Sequence, residues 1–499
     1  MKGKDGVNNV LYAILGQAIT LVLGILVPKL FVENLGSETN GLMQTINQVF
    51  ACFTLIEAGI GVTTVQSLYR PVATDDKYGI NAILSATNKY YKKVSVVYLI
   101  ALLIFASIFG ISVRSQFGFY MVFGVVFFTG LNSVINFALQ EKYKLLLDAS
   151  GKKYITTNTQ TLITTLSSVA KIVLLLMGFN ILGIQISFFI INLLQVLIIS
   201  LYVKKHYKWI DMSTPPDYTA ISQKNSVMVH QFSSLVFANT DVLILTMVCG
   251  LSISSVYSMY KLIMSMLSTL FNNVSSGLTF ILGQTYSTDK ELYKTRINVY
   301  DAAYQTFGFS LATVTYIFYM PFMKLYTAGF DQNYLFNNLP LLFIIIELLV
   351  VVRNAGLNTI NVAGHFRKTQ WRSLLETGIN LTISSILVFK LGITGVLLGT
   401  IIALFYRTND VIIYSNRKIL GRSPWNTYKI TLINASLMTV LVFVSRYIPF
   451  VTNGYIGLII SAGLTSLVII PLFYAVVFAL CGKERRTIIN FVRSYKYDK

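Results

Sequence analysis

"LGIQISFFIINLLQVLIISLYVKK", residues 182–205, is an uncharged, mainly apolar run closed by two lysines. A helix needs about 20 such residues to cross the hydrocarbon core of a bilayer, and basic residues mark its cytoplasmic end. A second stretch, "TGVLLGTIIALFYRTNDVIIYSNR" at 394–417, matches it at Gly183/Gly395, Tyr202/Tyr414 and Lys205/Arg417, all three pairs at one common offset. Two further pairs keep nearly the same offset: Gly151 of "DASGKK" with Gly364 of "NVAGHFRK", and Gly36 of "LGSETNGL" with Gly250 of "CGLSISSV". The chain therefore reads as a parallel internal repeat of membrane-spanning helices, the pattern of a two-lobed transporter with its path between the halves.

Composition places the whole chain in that class. Of 499 residues, 54% are hydrophobic and only 12% charged, about half the charge of an ordinary soluble domain. A window of about 19 residues predicts fourteen spans. They lie near 10–33, 41–68, 94–113, 117–140, 156–178, 181–203, 225–249, 253–281, 301–320, 339–362, 372–389, 392–415, 430–447 and 454–480. The long continuous apolar runs exclude an alternating outer-membrane barrel. The expected fold is an all-α polytopic membrane protein. Residues 1–210 form an N-lobe of six helices and 211–420 a C-lobe of six. Residues 421–499 add two helices and a basic tail.

The positive charges fix an expected orientation. With the N-terminus inside, the cytoplasmic segments carry 31 Lys and Arg, and the outer connections only Arg114, Lys324, Lys390 and Arg446. Such asymmetry follows the positive-inside rule, so both termini are expected in the cytoplasm of a multi-pass cell-membrane protein. The same dispersal accounts for the net charge of +20 by topology and contact with anionic headgroups, rather than by nucleic acid. The first segment lacks a small-residue cleavage site and reads as an anchor. Cys52, Cys249 and Cys481 are isolated, the three His are scattered, and no GxxxxGK[ST] loop exists. No metal, no cofactor and no enzymatic activity is expected.

Polar residues inside spans point to a wet cavity. Ser254, Tyr257, Ser258, Lys261, Ser265, Ser268, Asn272 and Ser275 recur at helical spacing on one face. Glu347, Asn354, Asn358 and Asn361 share another, with Arg353 on its flank; His230, Ser234 and Asp241 align, as do Asn47, Thr54, Glu57, Gly61 and Thr64. Ser and Thr also serve plain helix packing, but a stripe along a whole helix calls for water. A Lys, Arg or Asp at a helix centre costs about 2.5–3.5 kcal/mol on the insertion scale. Intramembrane charges therefore need a partner or a cavity. Those concerned are Glu57, Lys171, Asp241, Lys261, Glu347, Arg353, Arg407 and Asp410. Glu57 with Arg353 and Asp241 with Lys261 are candidate pairs, Arg407 and Asp410 are i, i+3 neighbours, and Lys171 is free to snorkel outward or to face the cavity.

"LVPKLFVENLGSETNGLMQTINQVFACFTLIEAGIGVTTVQSLYRPVATDD" (26–76) resembles the first two spans of bacterial polysaccharide transporters. "NTDVLILTMVCGLSISSVYSMYKLI" (239–263) is similar to the start of their second lobe, and "VAGHFRKTQ" (362–370) to a later cytoplasmic turn. That family flips lipid-linked oligosaccharides within the multidrug/oligosaccharidyl-lipid/polysaccharide (MOP) exporter superfamily. The resemblance implies a MATE-like arrangement of two six-helix lobes plus two C-terminal helices, acting as a monomer. It implies that a polyprenyl-pyrophosphate-linked oligosaccharide is moved to the outer leaflet, upstream of a polymerase and beside the glycosyltransferases that build it. On this view Lys261, Arg353 and Arg70 meet the pyrophosphate. Tyr257, Asn354, Asn358 and Ser265 meet the glycan, and Glu57, Asp241 and Glu347 gate or carry a coupling H⁺ or Na⁺. The alternatives are a multidrug efflux pump of the same superfamily, a flippase for the peptidoglycan precursor, and a membrane scaffold without transport.

Overall fold

A computed structural model describes residues 3–54, 60–219, 237 and 239–481; side chains are described from residue 22 onward, apart from 62, 114–115, 276–281, 284, 287 and 366–367. Glu57, His230 and Ser234 lie outside the described residues. The chain is all-helical there and separates into two compact units, 1–239 and 240–499.

Unit 1 contains α1 (Gly3–Phe53), α2 (Ile60–Ala73), α3 (Lys77–Ser112), the short α4 (Arg114–Phe117), α5 (Phe119–Ile135), α6 (Glu141–Ala149), α7 (Lys153–Leu176) and α8 (Ile181–His206). The next helix, α9 (Asn239–Cys249), passes from the end of unit 1 into unit 2. Unit 2 continues with α10 (Leu251–Thr288), α11 (Lys290–Tyr326), α12 (Leu339–Val362), α13 (Phe366–Leu391), α14 (Ile393–Tyr414), α15 (Trp425–Ser445) and α16 (Gly454–Leu480). A π-helical turn at Asn136–Gln140 joins α5 to α6, and another at Ser415–Ile419 follows α14. Among the described residues, ten helical stretches are long and apolar enough to cross a membrane. α1 and α10, described only in part, are 51 and 38 residues long.

Helix starts are set by local chemistry. Asp76 Oδ1 accepts from Gly79 N at 2.9 Å at the head of α3, and Asn180 Oδ1 accepts from Gly183 N at 2.9 Å at the head of α8. Asp289 does the same for Glu291 and Leu292 at the head of α11. Each side chain satisfies an amide that the first helical turn leaves without a partner.

The breaks between helices reproduce the internal repeat in backbone geometry. Gly36 interrupts α1 with φ 83° and ψ 166°, and Gly250 precedes α10 with φ 88° and ψ 175°. This backbone region is essentially reserved for glycine. Gly118 and Gly329, Gly151 and Gly364, and Gly178 and Gly392 also pair at positive φ, at nearly the same interval along the chain. Helix limits follow suit: α7 and α13 begin at 153 and 366, and α8 and α14 at 181 and 393.

The residues after α8 are fastened to unit 1 by polar contacts. Asn81 of α3 donates to Trp209 O and accepts from Asp211 N, while Ser85 donates to Met212 O. Trp209, Ile210 and Met212 cover Leu68, Ile80, Ile83 and Leu84. Asp211 also accepts from the Ser213 hydroxyl and amide, which hold its carboxyl below the usual aspartate range.

Candidate functional site

Asp241 on α9 is a buried acidic group of unit 2, 5% exposed. Tyr257 Oη on α10 donates to its Oδ2 at 2.9 Å, and Thr400 Oγ1 on α14 lies 3.1 Å from the same oxygen. Asn380 on α13 donates to Thr400 Oγ1 at 2.8 Å, and its own Oδ1 is buried without a partner. Lys261, one turn after Tyr257, has its Nζ 5.7 Å from the Tyr257 ring and close enough to Asp241 for mutual attraction. Four helices thus bring together one carboxylate, two neutral oxygen acceptors and one ammonium. This is an oxygen-rich setting for a hard cation or a proton. The sequence pattern pointed to Asp241, Tyr257 and Lys261 but not to Thr400 or Asn380. Asn380 shares a face of α13 with Ser373, Glu376 and Ser384, and α14 carries further polar residues, but the sequence does not reveal that Asn380 and Thr400 meet at Asp241.

The α10 and α12 stripes meet each other. Ser268 Oγ donates to Glu347 Oε1 at 2.7 Å. Farther along, Asn354 Oδ1 accepts from Ser275 Oγ at 3.1 Å, from Tyr300 Oη at 2.6 Å and from Asn358 Nδ2 at 2.9 Å. Tyr300 shares a face of α11 with Tyr293 and Tyr304, which donate to Thr359 Oγ1 and Phe271 O. Ser265 is exposed, and its hydroxyl returns to Leu262 O at 2.7 Å.

Arg353 belongs to a chain of alternating charges. Its Nη1 meets Glu376 Oε1 at 2.7 Å, and Glu376 Oε2 lies 3.6 Å from Arg407 Nε. Arg407 Nη1 meets Asp410 Oδ2 at 2.7 Å, as the i, i+3 spacing predicts, and Asp410 Oδ1 accepts from Arg372. Three guanidinium groups and two carboxylates therefore link α12, α13 and α14. In the sequence Arg372 reads as one of the cytoplasmic charges with Arg367 and Lys368, and Glu376 as one acidic residue inside a span. Their meaning comes from the facing residues of the neighbouring helices α12 and α14, which the sequence does not reveal.

Unit 1 is built differently. Arg70 is exposed near the end of α2. On α7, Thr157, Gln160, Thr161, Thr164, Ser168 and Lys171 fall within an arc of about 100° at about 100° per residue. In the sequence this stripe is obscured by the other threonines among which its residues are spread. Thr159, Ile163 and Ser167 face the packed side, and Leu162, Leu166, Val169 and Val173 are exposed. Gln195 Nε2 of α8 donates to Gln160 Oε1 at 2.6 Å.

Lys171 does not snorkel outward. Its Nζ sits 4.4 Å from the centroid of Phe188 on α8. Lys171 is five residues before the end of α7 and Phe188 seven after the start of α8. At a rise of about 1.5 Å per residue, the ring lies deeper than the Lys171 backbone. The side chain follows the general lean toward a helix N-terminus.

The cations within spans now differ in their partners. Lys29 lies 3.6 Å from Glu33, and Arg353 and Arg407 share Glu376. Lys261 feels Asp241. Lys171 has an aromatic face instead, and among the described residues it makes no ion pair. A cation–π contact contributes about 0.5–2 kcal/mol, less than the several kcal/mol that an ammonium loses on leaving water.

By sequence, no family model and no curated protein matches the chain. Solved structures do match. A multidrug resistance MATE family transporter of the MOP superfamily, in an inward-facing conformation, aligns with TM-score 0.65 at 16% identity, over 82% of this chain and 98% of its own. The lipid II flippase MurJ, in an inward closed conformation, aligns with TM-score 0.64 at 14% identity, over 94% and 99%. A MOP superfamily transporter from Pyrococcus furiosus aligns with TM-score 0.55 at 16% identity, over 82% and 96%. The chain has the fold of the MOP transporters.

Proposed function

We propose that this protein is a flippase for a lipid-linked oligosaccharide, carrying a polyprenyl-pyrophosphate-linked glycan from the cytoplasmic to the outer leaflet by alternating access. The observation that carries the reading is the polar, charged interior of helices that are otherwise made for lipid. A polar head needs that interior, and a lipid tail does not. The span of the matches supports it as well. The flippase alignment takes in 94% of the chain and the transporter of the MATE family 82%, so the length suits a flippase better than a drug pump.

In this reading Arg70 meets the pyrophosphate at the cytoplasmic entrance, and Lys261 and Arg353 meet it farther in. For those two, binding is an exchange in which phosphate oxygens replace the carboxylates of Asp241 and Glu376. Ser265, Asn354, Asn358 and Tyr257 offer hydroxyl and amide groups to sugars. Asp241 carries the coupling cation, H⁺ or Na⁺, with Thr400 and Asn380 as its neutral partners, while Glu347 and Glu57 act as gates.

Deletion of the gene tests the reading. Cells should lose one surface polysaccharide and accumulate its lipid-linked repeat on the inner leaflet. Drug sensitivity with intact surface glycans would overturn it in favour of efflux, and arrest of peptidoglycan synthesis in favour of the peptidoglycan precursor.

A further inference from the structure

We infer that Lys171, at the end of the α7 stripe, is a second anion-binding residue of unit 1, beyond Arg70, for a phosphorylated amphiphile. The inference rests on the flippase reading and adds a residue and a ligand chemistry to it.

Three observations converge. The first is the partner. Lys29, Arg353 and Arg407 have carboxylates within 4 Å, and Lys261 has the field of Asp241. The Lys171 ammonium rests on the Phe188 ring at 4.4 Å. A ring holds an ammonium in place without neutralising it. An arriving phosphate therefore displaces no carboxylate at Lys171, whereas it must do so at Arg353.

The second is the surroundings. Thr157, Gln160, Thr161, Thr164 and Ser168 continue the same face back along α7, giving hydroxyl and amide groups in line with the ammonium. Leu175, buried one turn beyond Lys171, closes the stripe with an apolar side chain. The opposite face of α7 exposes Leu162, Leu166, Val169 and Val173, about 160° from the stripe at about 100° per residue. A ligand with a phosphate beside a hydroxyl-rich portion matches the stripe itself, and Leu175 offers the apolar surface next to the ammonium.

The third is the contrast with the repeat. The position equivalent to Lys171 in the second half is Ser384, whose hydroxyl is buried and donates to Val396 O at 3.1 Å. The cation is thus an addition to unit 1 and no shared requirement of the fold.

The test is equilibrium binding to the full-length protein in nanodiscs of neutral lipid, with farnesyl pyrophosphate, inorganic pyrophosphate and farnesol as probes. Wild type should bind farnesyl pyrophosphate. Lys171→Met should weaken that binding at least tenfold, Lys171→Arg should restore it to within about threefold, and farnesol binding should not change. Binding of inorganic pyrophosphate with the same Lys171 dependence would identify the phosphate alone as the determinant; dependence confined to farnesyl pyrophosphate would identify the lipid-linked form. A second measurement needs no variant. Farnesyl pyrophosphate should protect Lys171 of the wild-type protein from acetylation, read by peptide mass spectrometry. Unchanged binding by Lys171→Met together with unprotected Lys171 overturns the assignment and leaves the flippase reading standing. Loss of that reading is seen separately, in the glycan phenotype of the deletion.

Discussion

Gln195 Nε2 donates to Gln160 Oε1 at 2.6 Å and ties α8 to α7. At the corresponding place in unit 2, Arg407 Nη2 donates to Ser373 Oγ at 3.2 Å and ties α14 to α13. Gln140, Ile163 and Gln195 of unit 1 are thus the repeat counterparts of Arg353, Glu376 and Arg407. The fold accepts a neutral version of this node, which makes the charged one in unit 2 a choice that can be tested. Glu376→Gln should destabilise the protein by about 3 kcal/mol, because it leaves three largely buried guanidinium groups beside one remaining carboxylate. The triple variant Arg353→Gln, Glu376→Ile, Arg407→Gln should regain most of that loss in a thermal melt. If Arg353 binds substrate, transport by the triple variant stays abolished although the fold is restored.

Thr400 stands between Asp241 and Asn380. Thr400→Val keeps the shape but removes the hydroxyl that both groups use, so stability should fall by about 1–3 kcal/mol. Asp241→Asn keeps most hydrogen bonds and removes the charge. Transport in proteoliposomes should then lose its response to an imposed Na⁺ or H⁺ gradient. A gradient response equal to wild type would return Asp241 to a structural role.

Gly36 and Gly250 share a backbone conformation that a Cβ opposes. Gly250→Ala should cost about 1–3 kcal/mol although no neighbouring atom lies within 4 Å of the added Cβ. Gly378, inside α13, has equal space and no positive φ. Gly378→Ala should therefore raise stability by up to about 1 kcal/mol, through backbone entropy and helix propensity. Melting curves of the two variants should move in opposite directions.

Asp211 holds the residues after α8 in the form bonded to Asn81 and Ser213. Its folded pKa is lowered, so the stabilisation is full above the unfolded value of about 3.9 and fades as pH falls through the folded one. Hydrogen exchange over 207–219 should stay slow from pH 7 down to about pH 5. Asp211→Asn should speed it at every pH in that range, with no change in exchange elsewhere.

Much of the fold was legible because a bilayer imposes coarse rules. Span length, the 31-to-4 distribution of Lys and Arg and paired glycines each report on one physical constraint. The 339–362 and 454–480 spans coincide with α12 and α16 to the residue. The α10 and α12 stripes are expected to line a wet cavity, and in the structure their residues bond to one another. Partner identity was less legible. Charge alone allows Arg353 to pair with Glu57, which lies outside the described residues; the structure pairs it with Glu376 across α12 and α13.

The sequence by itself determined that this chain is a repeated set of membrane helices with charges inside them, since hydropathy, charge and glycine are local properties read one window at a time. Tertiary structure alone decided which charges are already satisfied. Arg353 and Lys171 look alike in sequence, each a cation in an apolar helix. One is answered by a carboxylate at 2.7 Å and the other by a phenyl ring at 4.4 Å. That difference depends on which faces of packed helices meet, because electrostatic and hydrogen-bonding partners act over a few ångströms between side chains about twenty residues apart along the chain.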